Sequence, residues 1–547
     1  MGAMLNAYPD SVGGDLGGCV SFLKKPKLKD VFTDFYLLPS IFDTDLDRGF
    51  SVVSYDLNET LVSPDDLSEL KNLGIGLKLD FVLNHASVLS KQFRDILEKG
   101  EDSEYADFFV DWNKFWEGCG PMDDEGFIRP DPEYLKDMYF RKPGLPLLMV
   151  PLPNGGEKPY WNTFYQETIY PNFDTQDFIF EADVQYGAAE KLAVRVNDAL
   201  SSGKRPEEID FEPLGAFKTK FIQLIKSRRR FLGQMDMNIK SPLVWEFYDN
   251  TLRKLAGYGA AIVRLDAFAY AAKEPGARNF MNDPGTWDLL KKVRKLATEY
   301  KLSLLPEIHT EYREKVHEKL ADEGYLIYDF FLPGLLIHAL EKHTSEYILR
   351  WINDIQEKNL RTVNMLGCHD GIPLLDLRGL LPDEEIEATI EIIVGRGGDV
   401  KDILGSKNMY YQVNATYYSA LGERDDKMLL ARALQLFMPG KPQIWYLDLF
   451  GGKNDHDAVK IAGVGGHKEI NRSNLSMAQV EAALDRDLVI KQLELLRFRN
   501  SCPAFGEGAK LKAGGDGSFI YIEWVKDGVV ARLDADLRDY AYEINVK

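Results

Sequence analysis

Short apolar segments alternate with helical patterns along most of the chain. Val31–Leu38 (VFTDFYLL) and Leu77–Leu83 (LKLDFVL) are predicted strands, and the helix-like Asp65–Leu73 lies between them. The other predicted barrel strands, each preceded by polar or helix-like sequence, are Ala260–Leu265, Leu302–Leu305, Leu326–Phe330, Val363–Leu366 and Lys441–Leu447. Such alternation is typical of βαβ units and a parallel sheet. Seven or eight units over about 450 residues predict an α/β (β/α)8 TIM barrel with loop-rich insertions rather than an open sheet.

The pattern divides the chain into four parts. Residues 1–107 hold the first part of the predicted barrel, and residues 108–232 are a loop-rich, partly helical insertion after the third strand. Residues 233–503 hold the rest of the barrel, with a long loop at about 385–418. In residues 504–547 apolar runs alternate without intervening helices, which predicts a small antiparallel β C-terminal domain.

Composition excludes several classes of protein. Of the 547 residues 45% are hydrophobic and 12% aromatic, and the formal net charge is −20. An acidic chain is a poor non-specific binder of nucleic acid. No apolar run reaches the roughly 18 residues of a membrane span, and the N-terminus lacks a signal-peptide pattern. The four cysteines show no CxxC spacing, which favours reduced thiols in a cytoplasmic protein.

Charged side chains directly follow four of the apolar runs. The segments are Asp80–His85 (DFVLNH), Arg264–Asp266 (RLD), Glu307–His309 (EIH) and His369–Asp370 (HD). In a barrel of parallel strands, the carboxyl ends of the strands meet at one rim, where active sites form. Any one of these carboxylates alone is more often a helix cap or an ion pair. Several at one rim favour a catalytic site.

Asp266, Glu307 and Asp370 could perform glycosidic chemistry. A retaining enzyme uses one carboxylate as nucleophile and a second as acid and base, about 5–5.5 Å apart. A third can grip sugar hydroxyls more tightly in the transition state. Arg264, two residues before Asp266, lies on the same strand face and can keep that carboxylate ionised.

Three histidines lie in the same segments, and they suggest polar contacts to a sugar ring. They are His85, His309 and His369. The rival interpretation is a metal site, but the chain has no HxH or HExxH spacing, so no metal is predicted.

With these four segments in order, the sequence resembles the α-amylase superfamily, glycoside hydrolase family 13. It resembles the sucrose phosphorylase subfamily more closely. The segments that carry this second resemblance are HDGIP from His369, YQVNATYYSAL from Tyr411, PGKPQIWYLDLFGGKND from Pro439 and EINR from Glu469. The similarity covers nearly the whole chain apart from about residues 171–230.

The resemblance implies roles for individual residues. Asp266 would be the nucleophile, Glu307 the acid and base, and Asp370 the transition-state stabiliser. Lys142, and after it Arg141, would supply positive charge for phosphate. The remaining substrate-binding residues would be Asp43 as the partner of Arg472, His85, Gln234, Arg264, His309, His369, Arg472, and Tyr411 and Gln412 on an acceptor loop within 385–418.

The implied reaction is phosphorolysis of sucrose to α-D-glucose 1-phosphate and fructose by double displacement. The resemblance implies no cofactor, and phosphate is a substrate. A homodimer is one assembly that it suggests. A hydrolase or transglucosidase with the same site is the alternative. A non-catalytic sugar-binding protein would have lost a catalytic carboxylate, and all three are present.

Two departures from the family pattern affect the acceptor side. Asn408-Met409-Tyr410 stands where the subfamily typically has an acidic residue, and Lys142 aligns with the loop arginine. Fructose 6-phosphate, glycerol or glycerate could therefore replace fructose. The cluster Arg228–Arg230 is either a contact for a phosphorylated acceptor or a solvated helix face.

Overall fold

The computed structural model describes residues 2–142, 144–164, 166–182, 184–402, 410–463 and 466–547. Eight parallel strands form one sheet that closes on itself almost completely. They are β1 Met4–Ala7, β2 Asp34–Leu37, β3 Gly76–Val82, β4 Ala260–Asp266, β5 Ser303–Pro306, β6 Ile327–Asp329, β7 Thr362–Met365 and β8 Lys441–Trp445. Their order, β5-β4-β3-β2-β1-β8-β7-β6, follows the chain around the barrel, and β5 and β6 lie side by side at the seam. The predicted barrel is confirmed.

Helices connect these strands. Pro64–Asn72 shows why they begin where they do: Ser63 and Asp66 form a reciprocal capping box, and Pro64 occupies the first turn, where its missing N–H costs nothing. The helices of the barrel are Leu16–Leu23, Pro64–Asn72, Lys91–Lys99, Pro242–Gly257, Gly285–Glu299, Val316–Asp322, Leu332–Lys342, Glu346–Glu357, Asp383–Gly395, Tyr417–Ala420, Asp425–Phe437, Tyr446–Phe450, His456–Ala462, Met477–Ala483 and Asp487–Ser501.

Strand β1 was not predicted, and the predicted β8 ran two residues beyond its observed C-terminal end. Met4–Ala7 is buried at every position between β2 and β8, and its four residues show no alternation. The predicted strand Lys441–Leu447 ends at Trp445, and Tyr446–Phe450 is helical. Both errors have one cause: a fully buried apolar run carries no periodicity that separates strand from helix.

The insertion after β3 contains two packed units. In the first, the hairpin Leu147–Pro151 and Glu157–Trp161 packs with short helices Trp112–Phe115 and Pro132–Leu135 around a tryptophan-rich core. The second has its own apolar core, formed by helices Thr175–Ala182, Tyr186–Ser201 and Lys218–Ser227 together with their connecting segments.

A small antiparallel sheet joins the insertion to the barrel. Arg230–Asp236 pairs with His85–Ser87 on one side and with Gln166–Ile169 on the other. The predicted boundary between residues 232 and 233 therefore falls inside a strand. That strand carries the insertion back to the rim of the barrel.

The segment predicted as a loop at 385–418 is largely regular. Helix Asp383–Gly395 is followed by strands Asp399–Asp402 and Tyr410–Asn414, and the second strand pairs with Ile372–Pro373. The Nδ2 of Asn414 donates to the carbonyl of Asp370 at 2.7 Å, which ties this sheet to the rim. Asn408 and Met409 lie outside the described residues.

The C-terminal strands form an antiparallel meander, as predicted. They are β9 Lys510–Asp516, β10 Phe519–Lys526, β11 Val529–Asp536 and β12 Ala541–Val546. The Nε1 of Trp524 donates to the carbonyl of Phe437 at 2.8 Å and docks the sheet on a barrel helix. In the part of the chain that the structure describes, no helix is long and apolar enough to cross a membrane.

Candidate active site

The three predicted catalytic carboxylates lie at the carboxyl ends of barrel strands. Asp266 is the last residue of β4, Glu307 follows β5 directly, and Asp370 lies five residues after β7. Arg264 connects the first two: its Nη1 is 2.8 Å from Asp266 Oδ1 and its Nη2 is 3.5 Å from Glu307 Oε1. The carboxylate side chains keep 13 to 18% of their surface exposed, so a ligand can reach them.

Arg264 is itself held by an ion pair with Asp80 and by contact with the Phe50 ring. Asp80 Oδ1 lies 2.5 Å from its Nη1 and also accepts from the Tyr36 hydroxyl at 3.1 Å. The guanidinium lies 5.3 Å from the centre of the Phe50 ring. A buried guanidinium with charged partners and a fixed plane is well suited to hold two carboxylates in place.

Asp266 and Glu307 titrate as a pair because they share Arg264. Burial raises the pKa of Asp266 to about 8, Arg264 opposes that shift, and Glu307 adds to it. Burial acts in the same direction on Glu307, but Arg264 and His309 outweigh it and lower its pKa. Burial and mutual repulsion therefore keep one proton on the pair at neutral pH.

His309 connects Glu307 to a residue that the sequence analysis missed. Its Nε2 lies 3.3 Å from Glu307 and its Nδ1 lies 3.3 Å from Asp376, while its ring stacks on Phe330 at 3.9 Å. Burial lowers the pKa of His309, but Asp376 and Glu307 outweigh it and raise that pKa to about 9. Asp376 belongs to no motif, so only its position six residues after Asp370 could have drawn attention to it.

Asp370 is surrounded by cations. Lys468 Nζ lies 2.7 Å from its Oδ1, Arg472 Nη2 lies 3.9 Å from the same oxygen, and His369 Nε2 lies 3.0 Å from its Oδ2. Burial raises the pKa of Asp370, but His369 and Lys468 outweigh it and hold that pKa well below the usual range. Asp370 is therefore ionised under ordinary conditions.

The residues predicted to contact glucose gather around Phe50. His85 Nε2 lies 3.1 Å from the Phe50 carbonyl, and the Nε2 of Gln234 donates to the same oxygen at 3.2 Å. The His369 ring stacks on the Phe50 ring at 5.0 Å, nearly parallel. Arg472 Nε donates to the His369 carbonyl at 2.8 Å. The structure brings these four predicted residues together at one rim.

The segment that holds Asp43 contacts Arg472 through Arg48. Asp43 is exposed on the strand Phe42–Thr44 and accepts from the Ser54 hydroxyl at 3.2 Å. Arg48 donates to the Arg472 carbonyl at 2.9 Å and pairs with Asp10 at 2.9 Å. Arg472 pairs with Glu469 at 3.4 Å and with Asp370 at 3.9 Å. Asp43 and Arg472 are not joined by a contact among the described residues, and the role that the resemblance implied for Asp43 stays a prediction.

The two candidate phosphate-binding cations differ in environment. Lys142 is half-buried, its amine bonds to the Asn162 side chain, and burial lowers its pKa to about 8 against the opposing charge of Asp236. Arg141 is exposed, and its guanidinium lies 5.5 Å from the Phe164 ring and 5.9 Å from the Tyr270 ring.

The other candidates for the acceptor side are Arg228, Arg229, Tyr411 and Gln412. Arg228 pairs with Asp177 and Arg229 with Glu157, so neither is a solvated free charge. Gln412 lies opposite Pro373 in the strand Tyr410–Asn414, and the side chain of Tyr411 lies outside the described part of the chain.

Within the described ranges, one group of three metal-ligating side chains is compact enough to share an ion. It is Cys368, His369 and Asp370, whose ligand atoms lie within 4.8 Å of one another. The group overlaps the catalytic rim, and the sequence analysis had predicted no metal.

Comparison with known proteins identifies the family. No family model matches the chain. The chain is 50% identical to a sucrose 6(F)-phosphate phosphorylase of Ilumatobacter coccineus, and the match covers 99% of this chain and 95% of that protein. It is 29% identical to a sucrose phosphorylase of Streptococcus mutans, over 99% of this chain and 96% of that protein.

A solved structure gives the same answer. The crystal structure of sucrose 6F-phosphate phosphorylase from Thermoanaerobacter thermosaccharolyticum superposes with a TM-score of 0.80 at 30% identity, and the match covers all of this chain and 95% of that one. Sequence and fold agree. The chain therefore belongs to the sucrose phosphorylase-like family within the α-amylase superfamily, glycoside hydrolase family 13.

Proposed function

We propose that this protein is a retaining phosphorylase of sucrose 6F-phosphate, which it converts with phosphate into α-D-glucose 1-phosphate and fructose 6-phosphate. The observation that carries the choice of substrate is the 50% identity to a protein named for that activity, against 29% to one named for sucrose. The sequence alone favours sucrose as the substrate and keeps sucrose phosphate as an alternative. The identities favour the phosphorylated substrate.

The proposed reaction proceeds by two displacements. Asp266 attacks the anomeric carbon while Glu307 protonates the departing fructosyl oxygen, which leaves a β-glucosyl ester on Asp266. Phosphate then attacks the ester, and Glu307 takes its proton. Without substrate, burial and Glu307 favour the proton on Asp266, so the mechanism requires that proton to move to Glu307 when the sugar binds. The shorter contact of Arg264 to Asp266, 2.8 Å against 3.5 Å to Glu307, favours the resulting charge on Asp266.

Asp370 is the proposed stabiliser of the transition state. Its carboxylate is kept ionised by His369 and Lys468, so it can accept hydrogen bonds from sugar hydroxyls as positive charge develops on the ring. His85, Gln234 and Arg472 complete the proposed glucose subsite around Phe50.

Arg141 is the proposed contact for the 6-phosphate group on the fructosyl unit of the substrate. Its guanidinium lies beside Phe164 and Tyr270, and Phe164 packs on His85 at 5.1 Å, so the cation is close to the glucose subsite. Lys142 is less well suited because its amine already bonds to Asn162. Arginine also presents a bidentate donor pair to phosphate, which lysine does not.

A product assay tests the proposed function. Purified protein is given sucrose 6F-phosphate or sucrose, each with and without inorganic phosphate, and α-glucose 1-phosphate and free glucose are measured. We expect phosphate-dependent α-glucose 1-phosphate with little free glucose, and a kcat/KM about 10- to 100-fold higher for the phosphorylated substrate, the effect of one charge-assisted contact.

Other outcomes would redirect the proposal. Free glucose that is independent of phosphate would indicate a hydrolase. Equal use of sucrose and its phosphate would contradict the proposed acceptor. No reaction with either would shift attention to the reverse reaction, with α-glucose 1-phosphate and a panel of glycerol, glycerate and sugar phosphates. An Arg141→Met variant should lose the preference for the phosphorylated substrate while keeping activity on sucrose.

A further inference from the structure

Cys368 is a buried thiol directly beneath the catalytic pair His369–Asp370. Cys368 is 6% exposed. Its Sγ donates to the Gly371 carbonyl at 3.5 Å and accepts from the Asp370 N–H at 3.4 Å. The proposed reaction does not use this thiol. Its sulfur nevertheless lies within 4.8 Å of ligand atoms of both His369 and Asp370.

The other two donors lie beside this sulfur. His369 is 4% exposed, and its Nδ1 has no hydrogen-bond partner among the described residues. Asp370 adds a carboxylate oxygen. The three side chains therefore offer one nitrogen, one oxygen and one sulfur donor within 4.8 Å of one another.

This donor set selects a class of ion. Nitrogen and sulfur ligands suit Zn²⁺ and Cd²⁺, whereas Mg²⁺ and Ca²⁺ require several oxygens. Ligand–metal distances of about 2.0–2.3 Å place two ligand atoms of one zinc ion about 3–4 Å apart, which the 4.8 Å limit of this group allows. A tetrahedral ion would use three protein donors and one water.

We propose that Cys368, His369 and Asp370 form an inhibitory site for a thiophilic divalent ion such as Zn²⁺ or Cd²⁺. On binding, the metal forms bonds to Sγ, to a ring nitrogen and to a carboxylate oxygen, and the thiol proton passes to solvent. No electron is transferred, and the thiolate and carboxylate balance the charge of the ion. The ion displaces Lys468 from Asp370 and blocks the glucose subsite.

Direct binding is the first test, because it does not depend on the proposed function. ZnCl₂ is titrated calorimetrically into the full-length protein in a non-chelating buffer without phosphate. We expect one ion per chain with a dissociation constant at or below about 10 μM. Cd²⁺ should produce the ultraviolet absorption of a thiolate–metal bond.

Two cysteine variants make this test specific. Cys368→Ser should lose the Cd²⁺ absorption and bind zinc at least about tenfold more weakly. The matched control is Cys502→Ser, because Cys502 is another free cysteine and is partly exposed. That variant should behave as the wild type. No binding to wild type at about 100 μM zinc, or an unchanged Cd²⁺ absorption in Cys368→Ser, would overturn the proposal.

Inhibition is the second measurement. Release of fluoride from α-glucosyl fluoride, with water as the acceptor of the glucosyl group, reports turnover in the absence of phosphate, which would precipitate zinc. We expect zinc to raise the wild-type KM without changing kcat, and EDTA to reverse the effect. Cys368→Ser should keep the basal activity and require at least about tenfold more zinc for half-inhibition. Inhibition that is equal in both proteins, or that leaves KM unchanged, would place the ion elsewhere and reject the site.

Discussion

The amine of Lys468 lies 2.7 Å from Oδ1 of Asp370, so a cation from the loop after β8 holds a carboxylate from the loop after β7. Lys468 lies in the short helix Gly466–Asn471, 98 residues after Asp370 in the chain. This contact links two loops that meet only because their strands are neighbours in the barrel.

We predict that Lys468→Met shifts the acid limb of the kcat/KM profile to higher pH. Lys468 is one of the charges that lower the pKa of Asp370. Without Lys468 that pKa rises, so Asp370 becomes protonated and activity is lost at a higher pH. His369 and Arg472 still face Asp370, so the shift should be partial. Lys468→Arg should restore the profile. A profile identical to that of the wild type in Lys468→Met would show that the ion pair has no part in catalysis.

Asp266→Asn should abolish turnover while the protein stays folded. The amide cannot form the glucosyl ester, and loss of a covalent nucleophile typically lowers kcat by about 10⁴ or more. Turnover of sucrose 6F-phosphate and the circular dichroism spectrum are the two measurements. Near-wild-type turnover would remove Asp266 from the role of nucleophile.

Glu307→Gln should separate substrates by their leaving groups. Fructosyl oxygen needs protonation as it departs, whereas fluoride does not, and a general acid contributes about 10²–10⁴-fold. We expect kcat/KM for the sucrose substrate to fall by that factor and for α-glucosyl fluoride to change by less than about tenfold. Equal losses on both substrates would argue against acid catalysis by Glu307.

Asp376→Asn should change how stability depends on pH. Asp376 and Glu307 raise the pKa of His309 from 6.5 to about 9. A raised pKa stabilises the folded state fully below the ordinary pKa, and this contribution is lost as the pH rises from 6.5 to 9. The thermal midpoint of the wild type should fall over that range. The thermal midpoint of Asp376→Asn should fall less over this pH range, whereas that of the exposed control Asp383→Asn should follow the wild type.

The buried pair Lys273–Asp236 should matter far more for stability than an exposed pair. Lys273 Nζ lies 2.8 Å from Asp236, and the two side chains are 3% and 0% exposed. Lys273→Met leaves a buried charge unpaired, which costs about 3–5 kcal/mol. Lys254→Met breaks a solvent-exposed pair with Asp56 and should cost less than about 1 kcal/mol. The measurement is the shift in thermal midpoint of each variant from the wild type. Equal shifts for Lys273→Met and Lys254→Met would contradict the larger effect expected for the buried pair.

The sequence by itself determined the barrel and the rim at which the predicted catalytic carboxylates meet. The strand–helix alternation predicted the parallel sheet, because periodicity reports which face of each element is buried. The positions of Asp266, Glu307 and Asp370 after apolar runs predicted that they would meet, because parallel strands end at one rim. Arg264 was found by the same local rule, since residues two apart share a strand face.

Only the tertiary structure decided the contacts between distant loops. Lys468, Asp376 and Arg48 each contact rim residues although none of them belongs to a quoted motif, and Asp43, which the resemblance suggested, is exposed on its hairpin. Side chains on separate loops have no fixed spacing in the chain, so periodicity carries no signal for them. The barrel fixes which loops are neighbours, and packing then selects which of their side chains face the site.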